Sequence, residues 1–107
     1  MTKVYISGPV SSDPGYKRKF AAVAEKLKEI GLEPVNPTEA PEGLSYRQYI
    51  DSGLDQLMGC DMICMLPGSV HSPGAMLEQS YAQIVDVPIL VAVLIKGEYI
   101  IRGSDGL

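Results

Sequence analysis

Apolar residues follow two alternating patterns along this chain. Four short segments, most of them nearly all apolar, predict strands. They are KVYIS (3–7), EPVNP (33–37), DMICML (61–66) and PILVAVL (88–94). Between them lie segments with apolar residues every three or four positions, as in helices that pack on a core: 16–30, 46–58 and 73–85. The chain is therefore predicted to alternate strands with helices.

Local signals mark the predicted helix starts. Asp13 followed by Pro14 predicts the N-cap and first residue of the first helix. SYRQ (45–48) matches a capping box, and Ser72 followed by Pro73 predicts the start of the third helix.

Alternating strands and helices, with apolar strands, favour a parallel sheet covered by helices on both faces. We predict a single α/β domain over residues 1–107, a small doubly wound fold of the flavodoxin or Rossmann type with four to five strands. A final hairpin turning at Lys96-Gly97 would supply the fifth strand. Such sheets bind ligands beyond the carboxyl ends of the strands. We therefore expect a site between the loops GPVSSDPG (8–15) and PGSVHSPG (67–74).

Composition limits the partners and the location. The 107 residues carry a net charge of -4, which disfavours binding to a nucleic acid polymer. The longest apolar run, VPILVAVLI (87–95), is too short to cross a bilayer, so no membrane contact is expected. The first residues enter a strand pattern without a signal-peptide organisation, which favours the cytoplasm.

Neither a metal nor a cofactor is expected. Cys60 and Cys64 are the only cysteines and His71 is the only histidine, so a structural zinc site lacks ligands and both thiols are expected to be free. The first loop, SGPVSS (7–12), lacks the GxGxxG spacing of dinucleotide sites, and no Walker A motif occurs. That loop is either a plain strand-to-helix turn or a cradle of backbone N–H groups and serine hydroxyls for an anion.

Glu78 is the candidate for chemistry. It follows the start of the third predicted helix by about one turn and is flanked by apolar residues. Helical side chains lean toward the N-terminus, so the carboxylate is expected to point back over Gly74, which leaves space for a substrate. The helix N-terminus favours the ionised form that a nucleophile requires. The alternative is an exposed Glu on an amphipathic helix.

Five motifs occur over residues 3–94 in this order: VYISGP, NP, SYRQYI..GL..L..CD, SPGAMLE and A....VPIL. Through these motifs the chain resembles the nucleoside 2-deoxyribosyltransferase superfamily. The resemblance is strongest to the small YISGP members of that superfamily and to its nucleotide N-glycosidase branch, the 2′-deoxynucleoside 5′-phosphate N-hydrolases. The resemblance implies that Glu78 attacks the anomeric carbon and forms a glycosyl-enzyme intermediate, with Tyr5 in the same catalytic site. Ser72, where the transferases carry an Asp, implies a nucleoside 5′-monophosphate. The implied phosphate-side loop is Gly8, Pro9, Val10 and Ser11.

Two positions depart from this resemblance. The phosphate-side loop has Ser11 where the hydrolases often carry an Arg, and the more serious departure lies on the second predicted helix. Where family members carry an Asp near the leaving base, this chain has Gly53. Asp51 and Asp55 lie about 200° around the helix from it and are predicted to belong to a solvated acidic face. A Gly53→Asp substitution is accordingly expected to raise turnover.

Three functions are compatible with these features. The first is an N-glycosidase or deoxyribosyltransferase acting on a small-molecule nucleoside or nucleotide. The second is a nucleotide-binding module of the same fold with weak or no catalysis, and the third is a partner-binding protein without a ligand. Because a short chain buries a limited fraction of its surface, a homo-oligomer, most simply a dimer, is also predicted.

Overall fold

Strands and helices alternate throughout the described part of the chain, residues 1–103 of a computed structural model. The elements are β1 (Lys3–Ser7), α1 (Tyr16–Glu29), β2 (Glu33–Val35), α2 (Tyr46–Met58), β3 (Met62–Met65), α3 (Pro73–Ile84), β4 (Ile89–Ile95) and β5 (Glu98–Gly103). Short 3-10 turns at Pro37–Glu39 and Ser69–His71 precede α2 and α3.

All the strands of residues 1–103 belong to one sheet with the order β2-β1-β3-β4-β5. β1, β2, β3 and β4 run parallel to one another, and β5 runs antiparallel to β4. The chain order reverses between β1 and β3, which is where such a sheet opens a crevice for ligands. The predicted doubly wound α/β fold is confirmed, with five strands.

The alternation of side chains along β1 and β3 divides the core into two layers. Val4 and Ile6 of β1 pack in the layer that contains α1, through Phe20, Val23 and Leu27. Tyr5, between them, faces the opposite layer, which contains α2 and α3 through Leu57, Ala75 and Ala82. Successive residues of a strand point to opposite faces, so a single apolar strand serves both layers.

The predicted starts of α2 and α3 are confirmed. Ser45 Oγ accepts a hydrogen bond from the Gln48 N–H at 3.1 Å, and Gln48 Oε1 accepts one from the Ser45 N–H at 2.9 Å, which completes the capping box. Ser72 Oγ accepts from the Ala75 N–H at 3.3 Å, with Pro73 as the first residue of α3.

The predicted start of α1 is wrong by two residues. The helix begins at Tyr16, after Gly15, and no side chain caps it. Asp13 instead accepts a hydrogen bond from the Gly15 N–H at 2.9 Å and pairs with Lys19 Nζ at 2.6 Å. The Asp therefore stabilises the turn that leads into the helix.

The predicted hairpin is confirmed: Ile95 of β4 pairs with Glu98 of β5. The two residues between them, Lys96 and Gly97, have φ of 51° and 82°. Positive φ at both positions is what a two-residue type I′ turn requires.

The longest apolar run belongs to the sheet, and the two cysteines lie just after the end of α2 and on β3. Most of the run VPILVAVLI forms β4, and none of the helices within residues 1–103 is long and apolar enough to cross a membrane. Cys60 and Cys64 are both free thiols; Cys64 is buried, whereas Cys60 is only partly buried. Burial raises the pKa of Cys64 to about 12, so this thiol is inert at neutral pH.

Candidate functional site

A cavity of about 450 Å³ opens at the carboxyl ends of β1, β2 and β3. This volume is in the range that proteins use for small-molecule ligands. The walls are formed by the segments that follow these strands and by the first turns of α1, α2 and α3, through residues such as Gly8, Ser11, Tyr16, Thr38, Tyr46 and Ser72. The cavity therefore lies where the predicted fold places a site.

Glu78 lines this cavity and is 7% exposed. Tyr5 donates its hydroxyl hydrogen to Glu78 Oε2 at 2.6 Å, and Ser7 donates to Oε1 at 2.6 Å. Tyr5 and Ser7 are two residues apart on β1 and so share one face of the strand. Each carboxylate oxygen thus has its own donor. The alternative of an exposed Glu on an amphipathic helix is wrong, because α3 turns this face toward the sheet.

Burial raises the pKa of Glu78 above its ordinary 4.5, while the hydrogen bonds from Ser7 and Tyr5 oppose that rise. None of the salt bridges among residues 1–103 involves Glu78. Burial, followed by the charge of Glu78, raises the pKa of Tyr5, so the phenol stays protonated and acts as a donor. Two neutral hydroxyls, with no cation, hold the carboxylate.

No metal centre competes for this carboxylate within the described residues. Within residues 1–103, no three His, Cys, Asp or Glu side chains lie close enough together to hold a metal ion.

Gly53 packs against this pair of side chains from α2. A Cβ at position 53 would lie 2.7 Å from Glu78 Oε2 and 2.7 Å from the Tyr5 hydroxyl oxygen. A side chain at position 53 would have to displace the ends of the Glu78 and Tyr5 side chains, and the expected rise in turnover in Gly53→Asp stays a prediction. Asp51 and Asp55 are exposed on α2, as predicted.

The predicted residues at the start of α3 line the cavity. Ser72 and Gly74 both contribute to its wall. A Cβ on Gly74 would lie 2.9 Å from Ile50 Cδ1, however, so the space over this glycine is taken by a side chain of α2. Gly74 therefore lies against α2 as well as in the cavity wall, and its contact with a substrate stays a prediction.

Most residues of the predicted loop after β1 line the cavity, but Pro9 faces away from it. Gly8, Val10 and Ser11 line the cavity, and Ser12 joins them. Pro9 is not among the lining residues of the described chain; it faces a smaller pocket beside Leu66. A Cβ on Gly8 would lie 2.8 Å from Leu66 Cβ, so glycine is what lets this loop cross close to the end of β3.

Several polar residues of the cavity wall were not predicted, among them Ser7 and Tyr49. Ser7 was predictable, because it lies two residues after Tyr5 on a strand and must share its face. Tyr49 lines the cavity from α2, and its hydroxyl is buried without a hydrogen-bond partner in the described chain. Burial, then the charge of Glu78, raises the pKa of Tyr49 to about 12. Tyr49 lies four residues before Gly53 on the same helix, so the sequence could have placed it on the face of α2 that carries Gly53.

A family profile described as a domain of unknown function, DUF4406, matches residues 2–91. The chain belongs to the DUF4406 family. A search of curated protein sequences found no match to it.

Among solved structures, this DUF4406 chain is similar to two 2-deoxyribosyltransferases. The first, from the psychrotolerant bacterium Bacillus psychrosaccharolyticus, has a TM-score of 0.67 at 15% identity, covering 84% of this chain and 71% of that one. The second, from Leishmania mexicana, has a TM-score of 0.68 at 20% identity, covering 85% of this chain and 63% of that one. The resemblance inferred from the motifs is confirmed at the level of the fold.

Proposed function

We propose that this DUF4406 protein cleaves or transfers the N-glycosidic bond of a nucleoside or a nucleoside 5′-monophosphate. The observation that carries the proposal is the Glu78 carboxylate, buried beside a cavity and held by hydroxyls of Tyr5 and Ser7. Cleavage of a glycosidic bond passes through an oxocarbenium-like state, which an adjacent carboxylate stabilises and traps. The solved relatives are called 2-deoxyribosyltransferases, and one is described as a catalyst for nucleoside synthesis.

In the proposed reaction, a Glu78 oxygen bonds to the anomeric carbon and the electron pair of the C–N bond leaves with the base. Water or a second base then attacks the anomeric carbon and frees the carboxylate. Tyr5 and Ser7 hold the carboxylate in one orientation, which removes part of the entropic barrier to attack.

We further propose that a 5′-phosphate binds between the Gly8–Ser11 loop and Ser72. Backbone N–H groups at the first turns of α1 and α3 supply donors for an anion. Ser72 Oγ accepts from the Ala75 N–H, so its own proton stays free for the phosphate. Lys17 also lines the cavity, and its 3.5 Å pair with the exposed Glu42 is weak enough to exchange for a ligand.

The second candidate function is nucleotide binding without turnover. Gly53 favours it, because α2 carries no carboxylate at the position that packs against Glu78. A cytoplasmic location and a homodimer also stay proposals. For the dimer, the support is large apolar side chains exposed on α2 and α3, namely Met58, Leu77 and Ile84.

Release of free base from a panel of nucleosides and their 5′-monophosphates tests the proposal. We expect slow release by the wild type and none by Glu78→Gln, while Glu25→Gln, on the exposed side of α1, retains it. Thermal shift with the same panel tests binding, since a ligand at 100 times its Kd adds about 2.7 kcal/mol of stability. Binding without release by the wild type would favour the second candidate, and neither binding nor release would exclude both.

A further inference from the structure

Tyr49 has an arrangement that the folded protein alone does not explain. Its ring packs on α2 facing the cavity, and its hydroxyl is buried with no hydrogen-bond partner within the described chain. A buried hydroxyl without a partner destabilises a protein, and native structures contain few of them. Such a group is expected where a ligand supplies the missing partner.

The packing of α2 makes Tyr49 the group that can reach a ligand. Four residues later, Gly53 brings the helix backbone against Glu78 and Tyr5 and carries no side chain that could reach a ligand. The other polar residues that α2 and its cap bring to the cavity are engaged or solvated: Ser45 caps the helix, and Tyr46 is 64% exposed. Tyr49 is the buried donor on this side of the cavity.

We propose that the Tyr49 hydroxyl donates a hydrogen bond to the departing base, an inference that rests on the glycosidic-bond cleavage proposed above. As Glu78 bonds to the anomeric carbon, the C–N electron pair moves onto the base and makes its ring nitrogens and carbonyl oxygens better acceptors. Tyr49 stabilises this charge and keeps its own proton, because a phenol with a pKa of about 12 does not ionise at neutral pH. The released base anion takes its proton from water.

Tyr49→Phe separates this role from a structural one. Phenylalanine keeps the ring and removes the orphaned hydroxyl, so the free protein is expected to melt at the same or a higher temperature. The kcat/KM for base release is expected to fall by about 10²-fold, as when one preorganised donor to a developing charge is removed. Tyr99→Phe is the matched control, because Tyr99 lies on β5 outside the cavity.

The leaving group supplies the decisive readout. Across 2′-deoxynucleosides of 5-substituted uracils, the loss in Tyr49→Phe is expected to shrink as the free base becomes more acidic, since a better leaving group needs less help. An equal loss for every base would overturn the contact with the base, as would wild-type activity in Tyr49→Phe.

A lower melting temperature of free Tyr49→Phe would also overturn the inference, because it would show that the hydroxyl stabilises the fold. Failure of the proposed function is distinguishable from these outcomes. If the wild type neither releases base nor binds any member of the panel, both the function and the role of Tyr49 are excluded. If the wild type is active and Glu78→Gln is not, but Tyr49→Phe matches the wild type, the role of Tyr49 alone is excluded.

Discussion

Gly53 of α2 lies directly against the carboxylate of Glu78 on α3, where a Cβ would be 2.7 Å from Oε2. The glycine is required here by the approach of two helices, since its backbone is helical and any residue could adopt it. Glu78 is buried here, and burial raises its pKa. Position 53, where the motif resemblance leads one to expect an Asp, is thus part of the packing around the proposed nucleophile.

Gly53→Ala is expected to destabilise the protein by about 1–3 kcal/mol, the usual effect of overpacking a filled site. Helix propensity alone would favour Ala by about 1 kcal/mol, so the sign of the change tests the packing. Urea denaturation measures it. Gly59→Ala, at the end of the same helix, is the control, because its Cβ would lie 3.6 Å from the Gln56 carbonyl oxygen, an ordinary contact. A Gly53→Ala protein as stable as the wild type would contradict the close approach.

Glu78→Gln is expected to abolish base release and to leave the protein folded. The amide oxygen can accept from one hydroxyl while the amide nitrogen donates to the other, so Tyr5 and Ser7 keep their partners. At neutral pH the variant is expected to be at least as stable as the wild type, because it no longer buries a charge. Thermal melting and the base-release assay measure both properties. Release that continues in Glu78→Gln would remove the nucleophile assignment.

The pH dependence of stability follows from the same carboxylate. The folded protein holds the proton of Glu78 more tightly than the unfolded chain, because burial raises its pKa above 4.5. The free energy of unfolding therefore loses this contribution as the pH rises from the unfolded-chain pKa through the folded one. The difference in melting temperature between Glu78→Gln and wild type is expected to grow over that window. A constant difference at all pH values would refute the raised pKa.

Ser7→Ala is expected to move the acidic limb of the pH–activity profile to higher pH. The hydrogen bond from Ser7 lowers the pKa of Glu78, so its removal raises that pKa further and protonates the nucleophile earlier on acidification. The logarithm of kcat/KM against pH measures the shift. Ser80→Ala, on the exposed side of α3, should leave the profile unchanged. An unshifted limb in Ser7→Ala would indicate that another group controls it.

Ser72→Asp is expected to weaken binding of nucleoside monophosphates while nearly sparing the nucleosides. Aspartate is a good N-cap, so α3 should keep its start. Its charge beside the proposed phosphate is expected to lower affinity by about tenfold or more. Calorimetric titration with each nucleoside and its 5′-monophosphate measures the ratio. Equal weakening of both ligands would show that Ser72 is not next to the phosphate.

Light scattering at high micromolar concentration is expected to give the mass of a dimer. Ile84 on α3 is 81% exposed and Met58 on α2 is 58% exposed, so these side chains are available for a contact between two copies of the chain. Ile84→Asp is expected to yield a monomer, whereas Ile30→Asp, at the end of α1, should remain a dimer. A monomeric wild type at that concentration would exclude the dimer.

Local patterns in the sequence were enough to predict the fold. The alternation of apolar strands with helical periodicity predicted the doubly wound sheet, and Ser45, Ser72 and Lys96-Gly97 predicted two helix starts and a hairpin turn. Each of these features depends on residues within one turn or one strand of each other. The start of α1 was missed because Asp13 bonds with Gly15 and Lys19 instead of capping the helix.

The candidate site was decided by tertiary structure. The sequence singled out Glu78, but the hydrogen bonds that hold it come from Tyr5 and Ser7, which are 73 and 71 residues away. The periodicity of apolar residues indicates which face of a helix or strand a side chain occupies. It does not determine how closely two packed elements approach each other. The packing of α2 places Gly53 close to Glu78 and Ile50 close to Gly74, and the hydroxyl of Tyr49 is buried.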